Sequence, residues 1–215
     1  MMKKILFEIR VAKNIFSFLK IFSKKKKLRS SLYSNGLELL FDKSIDFENY
    51  NLDFMYVDNT ISTKKDIDIN ILKKLPKKTI IRTVKRNFYG KHNNGAGDID
   101  LWKYNFDIIQ NYDYLFHFEP RVQILNNKFI LNFLNNPSNY FSLDDTRVQF
   151  QTAFFGINTS QLEDFIKTVD LDEMVSKKMS IETMLYNFYK NKKYKLYDNK
   201  IGIRFDEKLF KFHLI

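Results

Sequence analysis

His117, Glu119 and Arg121 sit two residues apart along one stretch, Tyr114-Leu115-Phe116-His117-Phe118-Glu119-Pro120-Arg121. Alternate side chains of an extended strand share a face, so His117 and Glu119 point the same way. An imidazole and a carboxylate on one face can share a divalent cation, although paired carboxylates suit Mg²⁺ or Mn²⁺ better. Arg121 beside Glu119 either meets an anion or pairs with the acid at a strand end.

Three other places carry chemistry of this kind. Asp58-Asn59 close the apolar run from Asp53 to Val57, where Asp58 is either a hydrogen-bond acceptor for a ligand or a turn former. Asn93-Asn94-Gly95-Ala96-Gly97 open a helix, and the small residues there would let backbone N–H groups approach an anion, with Asp98 as a competitor for the same dipole. Glu182 lies in a helix's first turn, off the apolar face of Ile181, Met184, Leu185, Phe188 and Tyr189. It could accept a proton, although the helix dipole alone favours an acid at that place. His92 and His213 stand alone and read as exposed histidines.

The elements that must hold these residues alternate. Asp53 to Asp58, Thr79 to Val84, Tyr114 to Glu119 and Phe150 to Ile157 read as strands, nearly continuous in apolar character, as in a parallel sheet buried on both faces. Asp98 to Asn111, Val122 to Phe133, a segment capped by Ser160 with Glu163, and a segment from Ser180 read as helices. Tyr194 to Tyr197 and Ile201 to Phe205 read as short late strands. This order predicts an α/β fold, an open and mostly parallel sheet between helices, with ligands beyond the carboxyl ends of its strands.

The net charge of +11 is concentrated at one end. Lys3, Lys4, Arg10, Lys13, Lys20, Lys24 to Lys27 and Arg29 face only Glu8 within the first thirty residues, which leaves about +2 for the rest. A near-neutral body argues against a nucleic-acid partner. With no cysteine, thiolate metal sites and cysteine nucleophiles are excluded. On a helical wheel Arg10, Lys13, Ser17, Lys20 and Lys24 form a polar stripe opposite Ile5, Ile9, Ala12, Phe16 and Leu19. The pattern predicts a basic amphipathic helix over residues 1–30, ahead of one domain over 31–215. That helix either lies on an anionic membrane or packs on the body with its lysines solvated. Its charges interrupt any span or leader, which predicts a cytoplasmic chain, peripheral on the membrane's inner face if the helix binds lipid.

The order of these pieces resembles the nucleotide-sugar glycosyltransferases of the GT-A, family-two-like group. Val57-Asp58-Asn59-Thr60-Ile61-Ser62-Thr63 matches the family's acidic turn after a strand, and Asn93 to Gly97 its turn opening a helix. His117-Phe118-Glu119-Pro120-Arg121 matches its metal motif, Phe150 to Ile157 its acceptor-side strand, and Ser180-Ile181-Glu182 its acidic helix start. The resemblance implies transfer of a sugar from a nucleotide-diphosphate donor to a surface-glycan or lipid-linked acceptor, with inversion. It implies that Asp58, Asn59, Asn94, Gly95, Gly97 and Arg121 bind the nucleotide sugar. Glu119 and His117 would hold Mn²⁺ or Mg²⁺, and Glu182 would be the catalytic base. The chain departs from the pattern in its altered metal motif and at its front, where Leu37 to Phe41 is the only candidate for the family's first strand. A noncatalytic binding or scaffold protein of the same fold is the alternative.

Overall fold

Ile5–Val11 forms strand β1, and all seven of its residues are buried. The computed structural model describes residues 2–12, 22–41, 45–144, 148–206 and 211–215. After β1 come α1 (Phe22–Phe41), β2 (Leu52–Asp58), α2 (Ile69–Leu72), β3 (Ile80–Thr83), α3 (Asn94–Tyr104) and α4 (Phe106–Ile109). Next are β4 (Tyr114–Phe118), β5 (Val122–Ile124), α5 (Lys128–Asn135), β6 (Tyr140–Leu143) and β7 (Phe150–Asn158). The chain ends with α6 (Thr159–Thr168), α7 (Leu171–Ser176), α8 (Ile181–Tyr189), β8 (Lys195–Tyr197), β9 (Gly202–Asp206) and β10 (Lys211–Leu214).

Among the described residues the main sheet runs β3-β2-β1-β4-β7-β6-β8. Strands β3, β2, β1 and β4 are parallel, whereas β7 is antiparallel to both β4 and β6. A small antiparallel sheet, β10-β9-β5, stands apart. The pleat sorts β1 into two cores. Ile5, Phe7, Ile9 and Val11 pack on one side with Tyr33, Leu37 and Leu40 of α1 and Phe129, Ile130 and Phe133 of α5. Leu6 packs on the other with Ile99 and Trp102 of α3, Leu162 of α6 and Leu185 of α8. Glu8 and Arg10 fall in the same alternation as Leu6, so two charged groups enter the sheet's interior.

This overturns the helix expected over the first residues. Ile5 to Ala12 are strand and strand end, and Arg10, expected on a membrane-facing stripe, is buried at 7% exposure. A charged strand looks amphipathic on a wheel when the partners that neutralise it lie far along the chain. Lys13 and Lys20 lie outside the described residues, and Lys24 belongs to the first turn of α1. The domain therefore includes β1, an interior strand of the main sheet, and does not begin at residue 31. Leu37 to Phe41 end α1 and are not a strand, so the β1–α1–β2 unit is complete.

Two smaller expectations change as well. Val122 to Ile124 pairs with β9, so the helix after Pro120 starts only at Lys128. The cap of α6 is Asn158, whose side chain accepts from Gln161 N–H, while Glu163 pairs with Lys167. Among the described residues no helix is long and apolar enough to cross a membrane.

Candidate functional site

The parallel strands deliver their carboxyl ends to one edge, and a cleft of about 570 Å³ opens there. Arg10 and Ala12 reach it from the end of β1, His117 and Glu119 from the end of β4, and Thr152 from the start of antiparallel β7. Asn94 and Gly95 reach it from the start of α3, and Ser180, Ile181 and Glu182 from the start of α8. Two helix N-termini thus face one cleft, which favours negative charge there.

Helix α3 is seated by its cap. Asn93 accepts from Ala96 N–H, and its side-chain amide donates to the carbonyls of Met174 and Met179. That bond ties the α7–α8 connection to α3. A Cβ on Gly95 would lie 2.7 Å from Cβ of Ile181, so the missing side chain lets the two helix starts touch. Gly97 serves the same end behind the cleft, where its Cα faces Gly90. It does not line the cleft.

Asp58 and Asn59 are fully buried beneath the cleft. Asp58 accepts from the backbone N–H and the hydroxyl of Thr60, at 2.8 and 2.6 Å, and so shapes the turn after β2. Asn59 accepts from Arg10 at 3.2 Å and donates to Asn87, which does line the cleft. Both act on the cleft through Arg10 and Asn87.

Arg10 is the cation at the cleft floor. Its Nε donates to Asp98 at 2.7 Å, and Nη1 donates to the Val11 carbonyl. Burial works against the charged guanidinium, but Asp98 and Asp58 more than offset it and hold its pKa above the usual value. Asp98, placed from sequence as a rival to a bound anion, is thus committed to Arg10. Arg29 and Tyr33 of α1 complete this wall, and Tyr33 accepts from Ala12 N–H at 3.1 Å.

Glu119 and Arg121 pair across one turn, with Nε donating at 2.6 Å and Nη2 donating to the same oxygen. Their side chains are each 17% exposed. His117 shares the cleft with Glu119, as strand alternation predicts. Its Nδ1 lies 2.6 Å from Glu8 Oε2, which also accepts from Trp102 Nε1 at 3.0 Å. Phe155 stacks on the imidazole with ring centres 4.9 Å apart. Glu182 accepts from the Thr152 hydroxyl at 2.9 Å, which anchors one carboxylate oxygen at the cleft wall.

Glu8, Trp102 and Thr152 are not singled out by the sequence as site residues, and Arg10 is there assigned to a membrane-facing stripe instead of the cleft. Glu8 and Arg10 alternate within an apolar run, and that period-two placement was the available signal.

Among the described residues no three His, Asp or Glu side chains converge to hold a metal ion. His117 and Glu119 supply two donors, one of them shared with Arg121. Small hard cations often take their remaining ligands from substrate phosphates and water. Any cation held by these two residues would need its remaining ligands from a phosphate and water, because the described side chains do not close a site around it.

No protein-family model and no curated protein matches the chain. Solved structures do match in fold. Mouse xyloside xylosyltransferase 1 superposes with a TM-score of 0.53 at 6% identity, over 93% of this chain and 86% of that one. S. aureus TarS 1–349 superposes with a TM-score of 0.52 at 11% identity, over 93% of this chain and 59% of that one. Identities this low establish architecture alone. The chain has a GT-A-like α/β fold, a mostly parallel sheet between helices with its cleft at the strand carboxyl ends.

Proposed function

We propose that the chain is a glycosyltransferase that moves a sugar from a nucleotide-diphosphate donor to a surface-glycan or lipid-linked acceptor. One observation carries the reading. Glu182, held by Thr152, shares a single cleft with the Glu119–Arg121 pair and His117, so a proton acceptor and charge for a diphosphate line the same space. The fold of the mouse xylosyltransferase is consistent with this chemistry.

In this reading Glu182 takes the proton of the acceptor hydroxyl as its oxygen forms a bond to the anomeric carbon. The bond from that carbon to the diphosphate breaks, the electron pair leaves with the diphosphate, and the centre inverts. Arg121 and the N-termini of α3 and α8 meet the developing negative charge. Asn94 and Gly95 would offer backbone N–H groups, while Asp58, Asn59 and Gly97 shape the pocket from behind. Glu119 and His117 would hold Mn²⁺ or Mg²⁺, which supplies further positive charge when bound.

A noncatalytic binding or scaffold role is the second reading, favoured by the arginine already paired with Glu119. Calorimetry with nucleoside diphosphates, with and without Mn²⁺, tests the donor site. Donor hydrolysis then separates the two readings. Binding with hydrolysis supports the enzyme, binding without turnover supports the second reading, and no binding removes the donor site from both.

A further inference from the structure

Glu8 is 0% exposed and His117 is 3% exposed, in register on neighbouring parallel strands. A buried carboxylate is costly unless it is well bonded. Glu8 nevertheless concentrates its contacts on Oε2, which meets both His117 Nδ1 and Trp102 Nε1, while Oε1 is buried with no hydrogen-bond partner. Packing alone would be served better by an apolar side chain. The arrangement instead commits one ring nitrogen of His117 and leaves the other, Nε2, on an imidazole that lines the cleft.

We infer that Glu8 is a positioning residue that holds the proton of His117 on Nδ1, so that Nε2 is presented to the cleft as a lone-pair donor for a divalent cation beside Glu119. The inference rests on the cation reading of that pair. A carboxylate behind a ligating imidazole fixes its tautomer and raises its basicity, and loss of such a partner typically costs about 10–100-fold in metal affinity. Phe155, stacked on the ring, and Trp102, edge-on to it at 5.6 Å, restrict the imidazole's rotation, so the orientation is set before any ligand arrives.

The test uses the full chain with ¹⁵N-labelled histidine, read at rising pH until the ring signals no longer change. The chain has three histidines, and His92 and His213 are exposed and serve as references. The expected result is an unprotonated Nε2 on His117 and a protonated Nδ1. Mn²⁺, alone and then with inorganic pyrophosphate, should broaden the His117 ring signals before those of the references.

Glu8→Leu, which removes the acceptor but preserves apolar packing, should move the proton to Nε2. It should raise the Mn²⁺ concentration needed for broadening by about 10–100-fold. Glu8→Gln keeps an acceptor oxygen and should restore the wild-type tautomer. A protonated Nε2 in the wild type overturns the inference even if Glu8→Leu does not fold, and so does Mn²⁺ broadening in Glu8→Leu equal to wild type. A chain that shows the Nδ1–H tautomer and Mn²⁺ broadening yet binds no nucleoside diphosphate upholds the inference and removes the donor reading.

Discussion

Gly36 of α1 lies so close to Pro120 that a Cβ there would come within 1.8 Å of the Pro120 carbonyl oxygen. Pro120 separates Glu119 from Arg121, so α1 presses directly on the turn that carries the charged pair. In an isolated helix Gly36→Ala would gain about 1 kcal/mol. Here the close approach reverses the sign, because backbone must move to admit the methyl group. The expected outcome is a loss of about 1–3 kcal/mol in chemical denaturation. Weaker binding of nucleoside diphosphate in calorimetry should accompany it. A gain in stability would show that the helix is not pressed against this turn.

Asp98→Ala should expose the dependence of β1 on its distant partner. Arg10 is buried, and its Nε–Asp98 bond is 2.7 Å long. Removing one member of a buried pair costs about 3–5 kcal/mol, and the partial exposure of Asp98 puts the expected loss at the low end. Combining it with Arg10→Met removes the orphaned charge and should recover part of the loss. Urea titrations of the two single variants and the double variant measure this coupling.

Lys24 to Lys27 lie in the first turns of α1, where no acidic residue offsets the positive end of the helix dipole. We expect this run to draw the chain to anionic vesicles, by about 1 kcal/mol per lysine near the surface and less in salt. Deleting residues 1–30 cannot test this, because it removes β1 from the interior of the sheet. Replacing the four lysines with glutamine leaves β1 intact. Co-sedimentation with anionic vesicles should fall in that variant, and equal partitioning would dissociate the lysines from any membrane.

The sheet was legible where its strands are apolar runs. Asp53 to Asp58, Tyr114 to Glu119 and Phe150 to Ile157 needed only a window of six to eight residues. Strand β1 was not legible, because Glu8 and Arg10 make sense only beside His117, Trp102 and Asp98, about 90 to 110 positions away. Strand β5 was hidden by its three-residue length and by its partner β9 near the end of the chain. In the site, the i, i+2 rule placed His117 with Glu119, and the capped start of α8 placed Glu182. The burial of Asp58 and Asn59 could not be seen, because a strand-end acid has the same sequence whether its acceptors face a ligand or Thr60.

Lys178 adopts φ of 52°, left-handed for a residue with a side chain, and it lines the cleft. It closes α7, with Lys178 N–H donating to Val175 and Met179 N–H donating to Met174. Glycine suits that place better, by about 1 kcal/mol. Lys178→Gly should therefore raise the melting temperature. If the ammonium meets the donor's diphosphate, the same variant should bind nucleoside diphosphate more weakly, so stability and affinity move in opposite directions. Unchanged affinity would leave Lys178 a helix-ending residue only.

Glu182→Gln tests the proposed chemistry most directly. The carboxylate sits in the first turn of α8, whose start is fixed by the Ser180 cap and by Ile181 packed against Gly95. Thr152 donates to Oε1, so the side chain is held before an acceptor arrives. The amide keeps an oxygen that can accept from Thr152, so folding and donor binding should stay within error of wild type. What it loses is the ability to take a proton, and a general base contributes about 10²–10⁴-fold to turnover. Donor hydrolysis followed by nucleoside-diphosphate release should fall by that order. Thr152→Val leaves the carboxylate but frees it to rotate, so it should lower turnover less, with donor affinity unchanged. A Glu182→Gln variant that turns over at the wild-type rate would place the base elsewhere, with Asp144, hydrogen-bonded to Gln149, the next carboxylate to replace.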